Sequence, residues 1–195
     1  MKEVIGYNKN HEGREKHDFY ATPPREVTNI LKHEELIGKV LEPCCGMGHM
    51  VQGIIDSGFT GEIVATDLID RDFGIANADF LSDEYQYGEG VGTVIMNPPF
   101  KFIEQFVTKA LEVANDKVIM LARSQFSEGS NRYESIFTKN PPSRIYQYVD
   151  RIACAPGGDF ENVKGSSMTY SWFVWDIKDE SKDTYFKWIR RSDKQ

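Results

Sequence analysis

At 195 residues and 40% hydrophobic content, the chain has enough material for one domain with a real core and little room for a second. Its net charge of −7 excludes a protein that grips a polyanion over its whole surface. No apolar run approaches the ~20 residues that span a bilayer, and the start Met1-Lys2-Glu3-Val4-Ile5-Gly6 reads as belonging to a soluble, cytoplasmic protein with no membrane partner. Cys44, Cys45 and Cys154 show neither a disulfide framework nor metal-ligand spacing, so reduced, packed thiols and no metal are expected.

The charge is unevenly placed. Residues 34–116 carry 4 Lys and Arg against 15 Asp and Glu, whereas residues 117–151 carry 6 against 3. A polyanion would approach the later half, through cations such as Arg123, Arg132, Lys139 and Arg144.

Residues 1–17 are polar, hold His11 and His17 among mixed charges, and read as a flexible arm or a lid. Residues 18–195 then form a single domain. Thr22-Pro23-Pro24 reads as a helix start, with Thr22 as N-cap, Pro23 at the first helical position and Val27, Ile30 and Leu31 as the apolar face. Lys39–Glu42 is a short buried strand, followed by a turn holding Gly46 and Gly48 and by a helix over Met47–Ser57 that Gly58 closes. Glu62–Asp67 is a second strand and Val91–Met96 a third. Lys101–Asn115 is an amphipathic helix with Phe102, Ile103, Phe106, Val107, Ala110, Leu111 and Ala114 on one stripe. Lys117–Leu121 is a strand and Asn131–Lys139 a helix. Arg144–Ala153 and Met168–Ile177 are strand-like and consecutive, which predicts an antiparallel hairpin closing a parallel sheet.

The most informative segment ends the strand Val91–Met96: Asn97-Pro98-Pro99-Phe100. Proline cannot donate to a ladder and fixes φ near −65°, so the pair stops the strand and holds a rigid turn at its carboxyl end, where open α/β sheets bind ligands. The Asn97 side-chain carbonyl and the Pro98 backbone carbonyl are together suited to accept both protons of an exocyclic NH₂ group, and Phe100 offers a face on which a heteroaromatic ring can stack. Asn140-Pro141-Pro142-Ser143 repeats the tripeptide without the aromatic and reads as a helix terminator.

Upstream, Glu42 closes the first strand before Pro43-Cys44-Cys45-Gly46-Met47-Gly48, a glycine turn of the kind that admits a ligand close to the backbone. Asp67 closes the next strand, 25 residues after Glu42, at an offset where a carboxylate commonly binds ribose hydroxyls. Asp79-Phe80 adds an acceptor and a ring suited to an adenine edge and face.

Thr22-Pro23-Pro24, Val40-Leu41-Glu42-Pro43 with Gly46 and Gly48, Ala78-Asp79-Phe80-Leu81 and Asn97-Pro98-Pro99-Phe100 resemble, in order and spacing, the amino-group DNA methyltransferases that use S-adenosylmethionine, above all the adenine-specific kind. The resemblance covers about residues 18 to 121. It implies an α/β fold, a Rossmann-like class I methyltransferase with a mostly parallel seven-stranded sheet and an antiparallel C-terminal hairpin. It also implies transfer of a methyl group to the adenine amine of DNA, with the base flipped out of its stack and no covalent enzyme intermediate. The resemblance would put Glu42, Pro43, Gly46 and Gly48 by the methionine portion of S-adenosylmethionine, Asp67 on its ribose, Asp79 and Phe80 at its adenine, and Thr22 near its carboxylate, with Asn97, Pro98, Pro99 and Phe100 at the reacting amine. Cys44-Cys45 departs from the commoner small residues of the family. No separate target-recognition domain is expected, so DNA would be met by Arg123–Arg132 and the loop Ala155–Ser167, with Phe160 closing over a flipped base and Lys164 on a phosphate. Two other readings stand beside this one: the same turn serves enzymes that methylate RNA amines or protein glutamine amides, and a cofactor-binding but inactive module would regulate a partner.

Overall fold

The computed structural model describes residues 19–163 and 168–191; the expected arm over 1–17 and Lys164 lie outside them. In chain order the elements are β1 (Tyr20–Ala21), α1 (Pro24–Ile30), β2 (Lys39–Glu42), α2 (His49–Asp56), β3 (Ile63–Ala65), β4 (Val91–Met96), α3 (Ile103–Val113), β5 (Lys117–Arg123), α4 (Ser130–Arg132), β6 (Arg144–Tyr148), β7 (Ala155–Pro156), β8 (Tyr170–Asp176) and β9 (Tyr185–Ile189). Seven strands form one sheet in the order β3-β2-β4-β5-β8-β6-β9, and β1 pairs with β7 in a separate two-stranded ribbon.

From β3 to β5 every pairing is parallel. β8 then inserts antiparallel between β5 and β6, and β9 closes the sheet parallel to β6. The expected hairpin is therefore present, and its second strand is the one that joins the parallel half. The edge strand β9 is an addition that the alternation of its residues does not announce, because Tyr185, Phe186, Lys187 and Trp188 are all exposed.

Helices cover both faces, so the central strands are buried on both sides and read as continuous apolar runs. Strand periodicity sorts their side chains: Val94, Met96, Val118, Met120, Phe173 and Trp175 face α3, where Ile103, Phe106, Val107 and Ala110 meet them. Ile95, Ile119, Leu121, Trp172 and Val174 face α1 and α2, against Val27, Ile30, Met50 and Ile54. No helix among the described residues is long and apolar enough to cross a membrane.

Three local expectations are corrected. Pro23, not Thr22, precedes α1, and no side chain caps that helix; the Thr22 hydroxyl is used elsewhere. Phe102 falls in a 3₁₀ turn over Phe100–Phe102, one residue ahead of α3, and is 40% exposed instead of sharing the core stripe. The helix expected over Asn131–Lys139 is a single α-turn, Ser130–Arg132, widening into a π-type turn over Tyr133–Phe137.

One buried ion cluster fixes the segment after α1 against the sheet. Glu34 accepts hydrogen bonds from Lys117 Nζ (2.8 Å) on β5 and from Arg144 Nη2 (3.0 Å) and Tyr146 Oη (2.7 Å) on β6. Burial raises the Glu34 pKa, but the bonds from Arg144, Lys117 and Tyr146 outweigh it and hold the carboxyl below its usual range. Removing one partner from such a cluster leaves buried charge uncompensated. Glu34→Ala is therefore expected to cost about 3–5 kcal/mol in urea unfolding, and a loss near zero would show that the cluster is dispensable.

Candidate active site

The carboxyl ends of β2, β3 and β4 and the chain entering α1 enclose a cavity of about 520 Å³, within the range of small-molecule sites. Its wall includes Glu42, Asp67, Asp79, Phe80, Asn97, Pro99 and Thr22, so seven of the residues singled out in the sequence converge on one space. Pro43 lines it as well, whereas Gly46, Gly48, Pro98 and Phe100 do not.

Asn97 stands at the cavity wall directly after β4. Its side-chain Nδ2 donates to the Tyr20 carbonyl at 2.8 Å and to Thr22 Oγ1 at 3.0 Å. A backbone carbonyl can only accept, so the amide cannot be turned over without losing a bond. Both donors are thereby consumed and the Oδ1 acceptor is left. Among the described residues, neither Asn97 Oδ1 nor the Pro98 carbonyl accepts a hydrogen bond. The backbone carbonyl of Asn97 accepts from the Cys44 thiol at 3.5 Å.

Glu42 is 2% exposed and its Oε2 has no partner. Burial, with the neighbouring Asp67 charge adding to it, pushes its pKa up to about 8. The carboxyl is thus largely protonated at neutral pH, and an arriving cation would favour its ionised form. His49 Nδ1, also in the wall, is the other cavity atom buried without a partner, and burial lowers the His49 pKa. Burial pushes the Cys45 thiol up to about 12 and the Cys44 thiol well above its ordinary value; both are protonated and neither is a nucleophile at neutral pH.

Asp67 is more committed than its spacing implies. Its Oδ2 accepts from the Gly46 N–H (2.8 Å), and its Oδ1 from the Ile69 N–H (2.8 Å) and Arg71 Nη1 (2.9 Å). One acceptor direction remains on Oδ2. Asp79 is exposed, with Oδ1 accepting from the Leu81 N–H at 3.0 Å. Phe80 is almost wholly buried between Tyr85 and Phe106, and Phe102 is the exposed ring of the wall.

The glycine turn is covered by aromatic rings. Gly46 and Gly48 have φ of +57° and +82°, and a Cβ on either would strike Phe19 or Phe73 at 2.3 or 2.5 Å. The Arg71 guanidinium lies 4.5 Å over the Phe19 ring.

On the other side of Asn97, Phe100 packs against Tyr20 (5.8 Å between centroids), and the Arg123 guanidinium lies 4.2 Å from its ring centre. Arg123 Nε is buried without a partner. The face of Phe100 read as a stacking surface therefore carries Arg123 in this state. Phe160 meets His49 edge-on at 5.0 Å and lies outside the cavity wall. Phe19, Tyr20, Arg71 and Phe102 were not singled out from sequence; the only local signal for the first two is an aromatic pair just before Thr22-Pro23-Pro24.

No family model matches the chain, and no curated protein sequence does. Solved structures do. The methyltransferase subunit of a type I restriction-modification system from Streptococcus thermophilus is 13% identical with a TM-score of 0.59 over 88% of this chain and 47% of that one. The chain therefore spans about half of that subunit. A putative RNA methyltransferase from Pyrococcus horikoshii is 16% identical with a TM-score of 0.57, over 86% and 91% of the two chains. A dimethyladenosine transferase from Plasmodium falciparum is 11% identical with a TM-score of 0.54, over 81% and 62%. The fold is that of the Rossmann-like class I methyltransferases. Within it, the cavity occupies the carboxyl ends of the parallel strands, where ligands of such sheets bind.

The raised Glu42 pKa makes a test of the cavity's electrostatics. Between about pH 4.5 and 8 the folded chain binds more protons at Glu42 than the unfolded one, so this residue removes stability as pH rises, by at most about 1.4 kcal/mol per pH unit. Glu42→Gln is expected to flatten the stability curve between pH 5 and 8. A variant whose melting profile runs parallel to that of the natural chain would show Glu42 ionised and compensated throughout.

Proposed function

We propose that the chain transfers a methyl group from S-adenosylmethionine to the exocyclic amine of adenine in DNA. The observation that carries this reading is the Asn97 amide: a planar acceptor beside a donor-sized cavity, with both its own protons held back by Tyr20 and Thr22. The fold likeness supports it: one neighbour is named as the methyltransferase subunit of a restriction-modification system and another as a dimethyladenosine transferase.

The cavity suits the donor chemically. Glu42 offers the unpartnered Oε2 of a buried carboxyl to a cationic centre, the remaining Oδ2 direction of Asp67 and the exposed Asp79 offer acceptors to hydroxyl and amine groups, and Phe102 gives a flat apolar wall. When bound, S-adenosylmethionine supplies an electrophilic methyl group on a sulfonium. The residues of the chain do the rest. Asn97 Oδ1 and the Pro98 carbonyl accept the two amine protons, which draws the nitrogen lone pair out of conjugation with the ring. Positive charge develops on that nitrogen as the new N–C bond forms and the methyl–sulfur bond breaks to leave a neutral thioether, and the same two acceptors stabilise that charge; preorganised groups of this kind are worth roughly 10²–10³ in rate each. The extra proton leaves to solvent afterwards. Arg123 must swing off Phe100 before a flipped base can stack there, and its release toward a phosphate couples binding to opening of that face.

A second acceptor class has a specific observation in its favour: the chain covers 91% of the Pyrococcus RNA methyltransferase. Incubation with radiolabelled S-adenosylmethionine and single-stranded DNA, duplex DNA, RNA or protein extract separates these readings, with label expected in DNA as N6-methyladenine. Label only in RNA or protein would overturn the DNA reading, and no label anywhere would support an inactive module. Asn97→Ala is expected to lower kcat by roughly 10²–10³ with donor affinity within a few-fold. Thr22→Val, which removes one of two acceptors, should cost about three- to tenfold. An Asn97→Ala variant that loses donor affinity in step with activity would take Asn97 away from the amine.

A further inference from the structure

The edge strand β9 presents Tyr185, Phe186 and Trp188 at 66%, 52% and 67% exposure in a run of four residues. Elsewhere among the described residues, no two exposed large apolar side chains lie within six positions of one another along the chain. Phe186 and Trp188 project from one face of β9 and meet at 5.1 Å, edge to face. Lys187 projects from the other face, with its ammonium 5.8 Å from the Tyr146 ring. Residues 184–191 hold Lys187, Arg190 and Arg191 and no carboxylate. Among the described residues, neither Lys187 nor Arg190 forms an ion pair. In a chain of net charge −7, this is an aromatic strip interleaved with uncommitted cations.

We infer that β9 is a stacking platform for single-stranded nucleic acid, its exposed rings taking the faces of successive bases and its cations the phosphates. Both halves of the chemistry are needed. A bare apolar edge would fit a protein partner, and a bare cationic one any polyanion. Rings standing clear of the strand among unpaired cations fit a ligand that is flat and apolar at intervals and negative between them. A duplex hides its base faces and presents only phosphate here. A second copy of the chain, paired edge to edge in the register that sets Lys187 against Arg190, would face like charges across the ladder, which is destabilising. The strand's direction adds a consequence. β9 is parallel to β6, which is parallel to β5 through the antiparallel β8 between them. Arg190 and Arg191 therefore leave β9 at the same sheet edge as Arg123 and Asn97, four strand spacings or roughly 19 Å from Asn97. A strand held at β9 is within short reach of the cavity, a link that rests on the methyl-transfer reading; the platform itself does not.

The chain carries its own reporter. Trp172 and Trp175 are buried and Trp188 is the exposed tryptophan of the three, so quenching of tryptophan emission by an added strand reads Trp188. Titrating the full chain, without methyl donor, with an oligothymidylate of about 12 nucleotides is expected to give saturable quenching that weakens steeply as salt rises. With end-labelled oligonucleotide and anisotropy, Trp188→Ala and Phe186→Ala should each weaken binding about five- to one-hundredfold, while Lys187→Glu should weaken it and flatten the salt dependence. A blunt duplex of equal length should lose much less. Thymine has no exocyclic amine and the readout is binding, so this outcome is independent of whether adenine is the acceptor. Absence of saturable quenching, or full affinity in a folded Phe186→Ala, Trp188→Ala double variant, overturns the inference. So does a concentration-dependent dimer in sedimentation that Trp188→Ala dissociates while the oligonucleotide has no effect, since that makes β9 an interface between copies.

Discussion

Both protons of the Asn97 amide are held by the segment that enters α1, and the direction of its carbonyl follows from that arrangement. The two prolines after Asn97 remove backbone freedom on one side, and the Tyr20 carbonyl and Thr22 hydroxyl remove side-chain freedom on the other. An amide free to rotate would present donor and acceptor to the cavity by turns, and half of its orientations would repel an incoming amine. The chain spends 75 residues of separation to prevent this. The ribbon in which β1 pairs with β7 extends the arrangement: Tyr20 aligns with Pro156, and the Gly157 N–H donates to the Phe19 carbonyl at 3.1 Å. The loop bearing Phe160 is thereby tied to the strand that orients Asn97, so a ligand that moves one is felt by the other.

The electrostatics of the cavity are arranged around the same point. The Asp67 charge opposes ionisation of Glu42, and Asp67 itself is bonded to Arg71 and to two backbone amides. Glu42 is left neutral by burial with its Oε2 unpartnered, an expensive state for an isolated chain and a useful one for a site that would receive a cation. The thiols of Cys44 and Cys45 are protonated and act as small packing groups. The carboxylates and amide of the cavity are therefore suited to accepting hydrogen bonds and stabilising positive charge, and its thiols are not nucleophiles at neutral pH.

Much of the fold was legible in the sequence because burial leaves a periodic trace. β4, β5 and β8 are apolar on both faces and were recognisable as strands, and the helix between β4 and β5 carried its stripe. Asn97, Glu42 and Asp67 were visible because each stands at or just past the carboxyl end of a strand, where ligands of such sheets bind. What was not legible was partnership over distance. Thr22 looked like a helix cap since a hydroxyl before two prolines usually is one, and nothing local says that an amide far along the chain claims it. Phe102 is exposed because the 3₁₀ turn after Pro99 takes it out of the helix stripe, and Phe80 is buried because Tyr85 and Phe106 pack against it. Arg123 was read as a contact for phosphate, and only the folded chain brings it over Phe100. β9 escaped notice because exposed aromatics on both faces of an edge strand break the alternation by which strands are found.

A crystal structure of the chain with S-adenosylhomocysteine bound tests the account most directly. The ligand's amino group is expected against Glu42 and its sulfur toward Asn97 Oδ1, with Nδ2 still bonded to the Tyr20 carbonyl. A ligand seated outside this cavity, or an Asn97 amide turned so that Nδ2 faces the sulfur, would contradict it.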